Sequence, residues 1–190
     1  EAIGFILYSF VLVPEFGWRS GLGMAFFNSV SAFCNAGMDI IGPDSLRPYA
    51  DHVLMNMITM LMIILGGLGF VVWWDLIGKG RRVLKKEIKI HQFWERLELH
   101  TKIVLLTTAI LIFGGGLVFW LYEKNALFSQ LSPMGQVWAA LFSSVTARTA
   151  GFNTVDTGAL SVGSKVLTMI LMFIGGSPGS TAGGIKTTTV

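Results

Sequence analysis

Charged residues are scarce in this sequence of 190 residues. Only 13% of the residues are charged and 53% are hydrophobic, whereas a soluble globular domain usually carries about 25% charged residues. A chain so poor in charge lacks the polar surface that a water-exposed domain of this size needs. The composition therefore argues against an ordinary soluble protein and predicts a membrane protein.

Cysteine and histidine are also scarce, and no carboxylate pair stands beside a partner for acid–base catalysis. The single cysteine, Cys34, excludes an internal disulfide framework and a multi-cysteine metal site. The three histidines do not cluster along the chain; they are His52, His91 and His100. We therefore expect a protein that is not an enzyme and that holds no organic cofactor.

Long uncharged runs predict membrane-spanning helices. Residues 53–74 and 103–122 carry no charge over 22 and 20 positions, and about 20 apolar residues suffice to cross a bilayer. Residues 2–14 are uncharged but too few to span alone, so we interpret them as the end of a span whose beginning is missing. Residues 166–185 are uncharged but rich in glycine in their second half, which predicts a broken span.

Two shorter uncharged runs predict helices that enter the membrane without crossing it. Residues 20–33 and 134–147 each cover 14 positions, a length typical of a re-entrant or interfacial helix. A core helix of a soluble domain is the alternative, and the neighbouring long runs argue against it.

Basic residues concentrate between the two long runs. Eight of the 14 lysines and arginines lie between Lys79 and Lys102, so the positive-inside rule predicts that residues 78–102 are cytoplasmic. Residues 14–51 and 123–160 then lie on the outer side. The hydrophobic residues of the basic segment indicate an amphipathic helix along the surface of the membrane lipid. A contact with a regulatory protein is the alternative, and nucleic acid is not expected as a partner.

The sequence contains an internal repeat. Phe-x-Ser-Val-Ser-Ala at residues 27–32 recurs as Phe-x-Ser-Val-Thr-Ala at residues 142–147, and Asn-Ala-Gly-Met at residues 35–38 matches Thr-Ala-Gly-Phe at residues 149–152. Each unit is predicted to contain a short outer helix, a glycine-bearing hairpin and a span returning inward. Non-helical backbone inside a bilayer is tolerated only where protein or a water-filled space satisfies it, and hairpin carbonyls that face a central axis can be satisfied by cations.

The repeat divides the chain into three parts. We predict a first unit at residues 1–77, a cytoplasmic basic loop at residues 78–102 and a second unit at residues 103–190. The segments of the first unit are the short helix 20–33, the hairpin 34–38 and the inner span 53–77. The segments of the second unit are the span 103–122, the short helix 134–147, the hairpin 148–153 and the broken inner span 160–190.

Both ends of the sequence look cut. The chain has no initiator methionine, opens inside an apolar run and ends just after a glycine-rich stretch. No cleavable signal peptide is visible, because no basic stretch precedes the first apolar run. We interpret the sequence as a fragment of a longer protein.

Three segments resemble one known family. They are Ser31–Gly37, Thr146–Thr154 and Gly175–Thr187, and in this order they resemble the Ktr/Trk/HKT potassium transporters, most closely the bacterial Ktr-type membrane subunit. The resemblance implies an all-α membrane protein in which four span–pore-loop–span repeats surround a pseudo-fourfold ion pore. The fragment would match the second repeat and most of the third, so it would supply half of the pore and would not conduct alone.

The resemblance implies that the two hairpins belong to a selectivity filter and that the short helices are pore helices. Potassium is bound in channels by backbone carbonyls, and glycine permits the dihedral angles that turn successive carbonyls inward. The ion-binding residues would be Asn35, Ala36, Gly37, Met38, Thr149, Ala150, Gly151 and Phe152, with potassium at Asn35, Gly37, Thr149 and Gly151. Simple turns between packed helices are the alternative. One glycine per hairpin leaves the strictness of selection against sodium open.

The glycine-rich stretch is predicted to interrupt the last helix about halfway through the membrane. Residues 175–184 contain five glycines and one proline, a composition that ends a helix. The resemblance implies an intramembrane loop that obstructs the pore and acts as a gate. Its residues would be Gly175, Gly176, Ser177, Pro178, Gly179, Ser180, Thr181, Ala182, Gly183, Gly184 and Lys186. Close helix packing through small residues is the alternative.

Three polar side chains beside these segments have predicted roles. Arg148 and Asn153 would support the filter, and we expect Arg148 to pair with Asp39 or Asp156. Lys186 would either face the inner mouth of the pore or extend to the cytoplasmic surface, since a buried charge needs a partner or water.

Together these features predict potassium uptake across the bacterial cell membrane through a gated, multi-pass pore, with its sodium dependence left open. The resemblance implies a homodimer of the full-length subunit and a cytoplasmic nucleotide-binding regulatory ring as its partner. A secondary cation transporter with discontinuous helices and obligate ion coupling is the alternative, and a purely structural membrane subunit is a third. The two repeats run in the same orientation, which favours the pore. A phosphate-binding loop is not matched, because Gly-Gly-Ile-Lys-Thr follows a membrane helix and not a strand.

Overall fold

Helices make up the regular structure of the chain. The computed structural model describes residues 1–187 and 189, the side chain of Ile90 excepted. This part of the chain contains eight α-helices and no strand; they are α1 Ala2–Phe16, α2 Trp18–Phe33, α3 Val53–Gly67, α4 Phe70–Leu84, α5 Phe93–Arg96, α6 Leu99–Glu123, α7 Pro133–Ala147 and α8 Val162–Phe173. Short 3-10 turns lie at Arg47–Tyr49, Ile90–Gln92, Leu127–Gln130 and Thr157–Ala159. The prediction of an all-α chain is confirmed.

The order of the elements repeats along the chain. A helix, a short helix and a non-helical hairpin come first as α1, α2 and residues 34–38, and again as α6, α7 and residues 148–153. Each hairpin then leads through a 3-10 turn to the next helix, α3 or α8. The helices α2 and α7 cover the two uncharged runs of 14 residues.

One apolar core joins the two units. Tyr8 and Leu12 of α1 are fully buried in the same cluster as Phe142 of α7 and Phe152 of the second hairpin. The Tyr8 hydroxyl donates a hydrogen bond of 2.8 Å to Thr59 Oγ1 in α3. The first three helices and α7 are therefore held in one body.

The outer faces of the helices are apolar. Among the described residues, α6 is the helix that is long and apolar enough to cross a membrane by itself, with 25 residues and a mean hydropathy of 2.3 over an 18-residue window. The helices α1 and α8 are apolar but shorter, and α3 and α4 pass the same test only as a bent pair. Large side chains such as Phe113 and Leu117 of α6 are more than half exposed, a surface that lipid tails can cover.

The continuous inner span predicted over residues 53–77 is wrong. The first part, α3, ends at Gly67, and α4 begins at Phe70 after a bend of 99°. Gly69 lies in the bend with φ +82°, and a Cβ there would be 2.7 Å from the Pro178 carbonyl oxygen. The helix α4 continues through residues 78–84 to Leu84 and so includes the beginning of the predicted basic segment.

The last helix stops early, as the glycine-rich composition predicts. The helix α8 ends at Phe173, and the residues from Ile174 to Thr187 are non-helical. Ile174 and Ile185 form an isolated parallel bridge, so the chain folds back on itself here. The final part of the predicted span 160–190, residues 188 and 190, lies outside the described residues.

Candidate functional site

A side-chain hydroxyl holds each hairpin to the end of its short helix. Ser31 Oγ donates a hydrogen bond of 2.5 Å to the Met38 carbonyl oxygen, and Thr146 Oγ1 donates one of 2.6 Å to the Phe152 carbonyl oxygen. The two hydroxyl residues occupy equivalent positions in the two units. The two sequence repeats therefore also share an equivalent hydrogen bond between the short helix and the hairpin.

Each hairpin contains two residues in the left-handed region, separated by one residue. They are Asn35 (φ 52°) and Gly37 (φ 68°) in the first hairpin, and Thr149 (φ 81°) and Gly151 (φ 94°) in the second. Left-handed residues that alternate with ordinary ones can turn successive carbonyls to one side of the chain. Backbone carbonyls arranged in this way are what a filter for dehydrated potassium uses.

The two hairpins meet at their glycines. A Cβ on Gly37 would lie 2.2 Å from the Ala150 carbonyl oxygen and 2.8 Å from Gly151 Cα. A Cβ on Gly151 would lie 3.2 Å from Gly37 Cα. At Gly37 both the backbone conformation and the close approach of the second hairpin favour glycine, whereas at Gly151 a Cβ would be tight but not excluded.

The remaining hairpin residues differ in burial between the two units. Phe152 is fully buried, whereas its counterpart Met38 is 60% exposed. Likewise Ala150 is buried and Ala36 is exposed. The second hairpin therefore rests on the core, and the first keeps an apolar face open.

The backbone of Asn153 ties the second hairpin to the loop after the first. Leu46 N donates to the Asn153 carbonyl oxygen at 3.0 Å, and Asn153 N donates to Ser45 Oγ at 3.4 Å. Ser45 Oγ in turn donates to Asp39 Oδ2 at 2.6 Å. These contacts of Asn153 with the first unit are made by its main chain, and its predicted role in supporting the filter stays a prediction.

The ion pair expected between Arg148 and Asp39 or Asp156 is wrong. Arg148 is buried at the C-terminal end of α7, and its Nη2 donates to the Gly175 carbonyl oxygen at 3.4 Å. Asp156 pairs with Arg47 at 3.2 Å. A backbone carbonyl of the glycine-rich stretch therefore accepts a hydrogen bond from the guanidinium that was expected to pair with a carboxylate.

The glycine-rich loop, residues 175–186, contacts both hairpins. Asn35 Nδ2 donates to Thr181 Oγ1 at 2.8 Å, and Gly183 N donates to Thr149 Oγ1 at 3.1 Å. A small cavity of about 20 Å³ lies at this junction, lined by Asn35, Arg148 and Gly176 among others. The loop therefore touches the left-handed residue that is not glycine in each hairpin.

The same loop satisfies the end of α3. The carbonyl oxygens of Gly66 and Gly67 accept hydrogen bonds from Thr181 N at 3.4 Å and Ser177 N at 3.1 Å, and Ser177 Oγ donates to the Leu68 carbonyl oxygen. A helix end leaves four carbonyls without a partner in the helix, and in a membrane such groups are costly. The loop supplies these donors, which explains why α3 can stop inside an apolar run.

The loop also accepts a hydrogen bond from the backbone of α4, and it folds back on itself. Phe70 N donates to the Gly179 carbonyl oxygen at 3.2 Å. A Cβ on Gly175 would lie 1.7 Å from the Gly183 carbonyl oxygen, so the two arms of the loop touch. Lys186 Nζ donates to the Ala182 carbonyl oxygen at 2.8 Å, so the ammonium group of Lys186 forms a hydrogen bond within the loop.

Sequence reasoning missed the partners of the loop. The bend at Gly69 has a visible signal, since three of the four residues from Gly66 to Gly69 are glycine. The Asn35–Thr181 hydrogen bond joins residues 146 positions apart, and no local pattern indicates it.

Comparisons with known proteins agree on one family. The family model described as "TrkH: Cation transport protein" matches residues 1–190. The potassium/sodium uptake protein NtpJ of Enterococcus hirae is 42% identical over 191 residues, covering 100% of this chain and 40% of that protein. The Ktr system potassium uptake protein B of Bacillus subtilis is 38% identical, again over 100% of this chain and 40% of that protein.

A solved structure has the same fold. The potassium transporter TrkH from Vibrio parahaemolyticus matches with a TM-score of 0.63 and 20% identity, over 98% of this chain and 44% of that chain. This chain spans about 40% of the length of the two relatives named above.

Proposed function

The chain belongs to the TrkH family of cation transport proteins, and from this premise we propose that it forms two of the four repeats of a gated potassium pore in the cell membrane. The full-length protein carries out potassium uptake; this part supplies half of its selectivity filter and its gate. The observation that carries the proposal is the pair of matched hairpins, each with a left-handed residue at Gly37 or Gly151, which meet at these glycines.

Potassium is bound by hairpin carbonyls in this proposal. The sites lie at Asn35, Gly37, Thr149 and Gly151, the four residues whose backbone is left-handed. The helices α2 and α7 end directly before the two hairpins, and the partial negative charge of a helix C-terminus favours a cation there. Both relatives are named for potassium uptake and one of them also for sodium; for this chain we propose potassium as the principal ion.

The glycine-rich loop is the gate. It is a non-helical segment that contacts both hairpins and the end of α3, and such backbone is tolerated in a membrane where protein or a water-filled space satisfies it. The gate opens when the loop moves away from the hairpins.

Membrane lipid, a cytoplasmic regulatory ring and a second copy of the subunit are the partners that we propose. Exposed apolar side chains on α6 contact membrane lipid. A cytoplasmic nucleotide-binding ring binds near residues 78–102, where Arg81, Arg82, Lys85 and Lys86 concentrate positive charge, and the full-length subunit forms a homodimer. These assignments extend the resemblance of the sequence to the Ktr-type subunits.

The test uses the full-length protein in cells that lack potassium uptake. We expect the wild type to restore growth in low potassium and Gly37→Ser or Gly151→Ser to abolish or relax that rescue, with expression equal by immunoblot. Equal growth of wild type and both variants would show that the hairpins are not part of the ion path. A reversal potential that follows a fixed ion ratio would instead favour a coupled secondary transporter.

A further inference from the structure

We propose that the glycine-rich loop positions both hairpins, and that Thr181 and Thr149 are the residues through which movement of the loop changes the cation preference of the pore. The inference rests on the proposed pore and adds a mechanical link between its gate and its filter. Loop opening and ion selection are then two readouts of one set of hydrogen bonds.

Thr181 holds the first hairpin from the side of the loop. Its hydroxyl accepts the hydrogen bond from Asn35 Nδ2 at 2.8 Å and donates one of 3.0 Å to the carbonyl oxygen of Phe33, the last residue of α2. Asn35 Nδ2 also lies 3.5 Å from the Ile63 carbonyl oxygen in α3. A single loop hydroxyl therefore connects the end of the short helix to the left-handed residue that follows it.

Thr149 holds the second hairpin. It is a β-branched residue at φ 81°, a conformation that such residues adopt only when their surroundings impose it. Its Oγ1 accepts from Gly183 N at 3.1 Å, and the preceding residue, Arg148, donates to the Gly175 carbonyl oxygen. The strained residue is thus fixed on the loop side as well.

Loop movement must change these contacts. A gate that leaves the ion path separates Thr181 from Asn35 and Gly183 from Thr149, and each loss removes part of what holds a left-handed residue. The carbonyl positions in the hairpins then depend on the position of the loop. By linkage, an ion bound by the hairpins also favours the loop position that holds them.

The experiment measures the potassium-over-sodium permeability ratio of the full-length protein in proteoliposomes, from reversal potentials. The ratio does not depend on how many molecules are active, so a simple loss of protein leaves it unchanged. The variants are Thr181→Val and Thr149→Val, which remove the hydroxyls, and Thr181→Ser and Thr149→Ser, which retain them. Thr187→Val is the matched control, because the Thr187 hydroxyl has no hydrogen-bond partner among the described residues.

We expect Thr149→Val to lower the permeability ratio about fivefold, the factor for one lost neutral hydrogen bond of about 1 kcal/mol. Thr181→Val removes a hydroxyl that makes two hydrogen bonds and should lower the ratio at least as much. The serine variants and Thr187→Val keep the wild-type ratio. A wild-type ratio in both valine variants overturns the link and leaves the pore proposal standing. If the wild-type protein conducts no potassium, the pore proposal itself is contradicted.

Hydrogen exchange gives a second measurement that needs no transport. In the wild type, we expect potassium in place of choline to slow amide exchange in residues 175–187, and the slowing to shrink in Thr149→Val. Should Thr181→Val fail to assemble, Thr149→Val carries the test alone. Equal exchange in both salts would contradict the coupling.

Discussion

Gly37 and Gly151 face each other so closely that a Cβ on Gly37 would lie 2.8 Å from Gly151 Cα. The two residues come from the two sequence repeats, 114 positions apart. Because the two hairpins are in backbone contact, a substitution in one of them should also change the conformation of the other.

The crowding at these glycines is unequal, and we expect the effects of substitution to be unequal too. Gly151→Ala adds a Cβ at 3.2 Å from the nearest atom, whereas Gly37→Ala places one 2.2 Å from a backbone oxygen. The left-handed conformation costs either alanine about 1 to 2 kcal/mol. Gly151→Ala should lower the potassium uptake rate of the full-length protein about tenfold, and Gly37→Ala should lower it further.

Gly42→Ala is the control for this series, because a Cβ there meets nothing within 4 Å. Uptake is measured as rubidium or potassium influx at equal expression. A larger loss in Gly151→Ala than in Gly37→Ala would contradict the geometry.

The hydroxyls of Ser31 and Thr146 should be interchangeable between the repeats. Each donates to the carbonyl of the residue after the hairpin glycine, so Ser31→Ala or Thr146→Ala should raise the half-saturation concentration for potassium about fivefold, for a loss of about 1 kcal/mol. The exchanges Ser31→Thr and Thr146→Ser should stay near wild type. Influx measured against potassium concentration checks this, and Ser9→Ala, whose hydroxyl donates to the Phe5 carbonyl oxygen in its own helix, is the control.

Gly69→Ala should destabilise the full-length protein by about 1 to 3 kcal/mol. The residue has φ +82°, and a Cβ would lie 2.7 Å from the Pro178 oxygen and from Ser177 Oγ. The thermal unfolding midpoint in detergent measures the effect. Gly67→Ala, where nothing lies within 4 Å of a Cβ, should leave the midpoint unchanged or higher; a midpoint lowered equally in both would refute the role of the bend.

Arg148 and Asp156 should contribute independently to stability. Asp156 pairs with Arg47 and not with Arg148, and residues without shared partners give additive effects. In a double-mutant cycle with Arg148→Met and Asp156→Asn, we expect a coupling energy within about 0.5 kcal/mol of zero. The Arg47–Asp156 pair is about half exposed and should itself couple by no more than about 1 kcal/mol. Strong coupling of Arg148 to Asp156 would favour the ion pair that the sequence suggests.

The sequence predicts the helices well because their signals are local. Charge-free runs and turn residues place α2, α6 and α7, and the repeated glycine marks Gly37 and Gly151 as positions with unusual backbone. The composition of residues 175–184 marks the end of α8 for the same reason. Each of these features depends on neighbours within a few residues.

The features that the sequence does not predict depend on partners that are far away along the chain. The apolar run from residue 53 to residue 74 is typical of a straight span. The helix can end at Gly67 inside a membrane because Ser177 and Thr181 donate hydrogen bonds to its last carbonyls. A carboxylate is the partner that the sequence suggests for Arg148, because charged residues are visible in a sequence. The backbone carbonyl of Gly175, which accepts from Arg148 instead, has no signal of its own.

The acceptors at the end of α3 precede their donors by a long stretch of chain. Leu68 and Ser177 are 109 residues apart, so a ribosome finishes the first unit well before it makes the group that satisfies this end. Until then, the carbonyls of residues 66–68 find partners most easily by continuing the helix through the apolar run. We therefore expect residues 53–74 to enter the bilayer as one straight helix during synthesis, and the bend to form only when the second unit arrives.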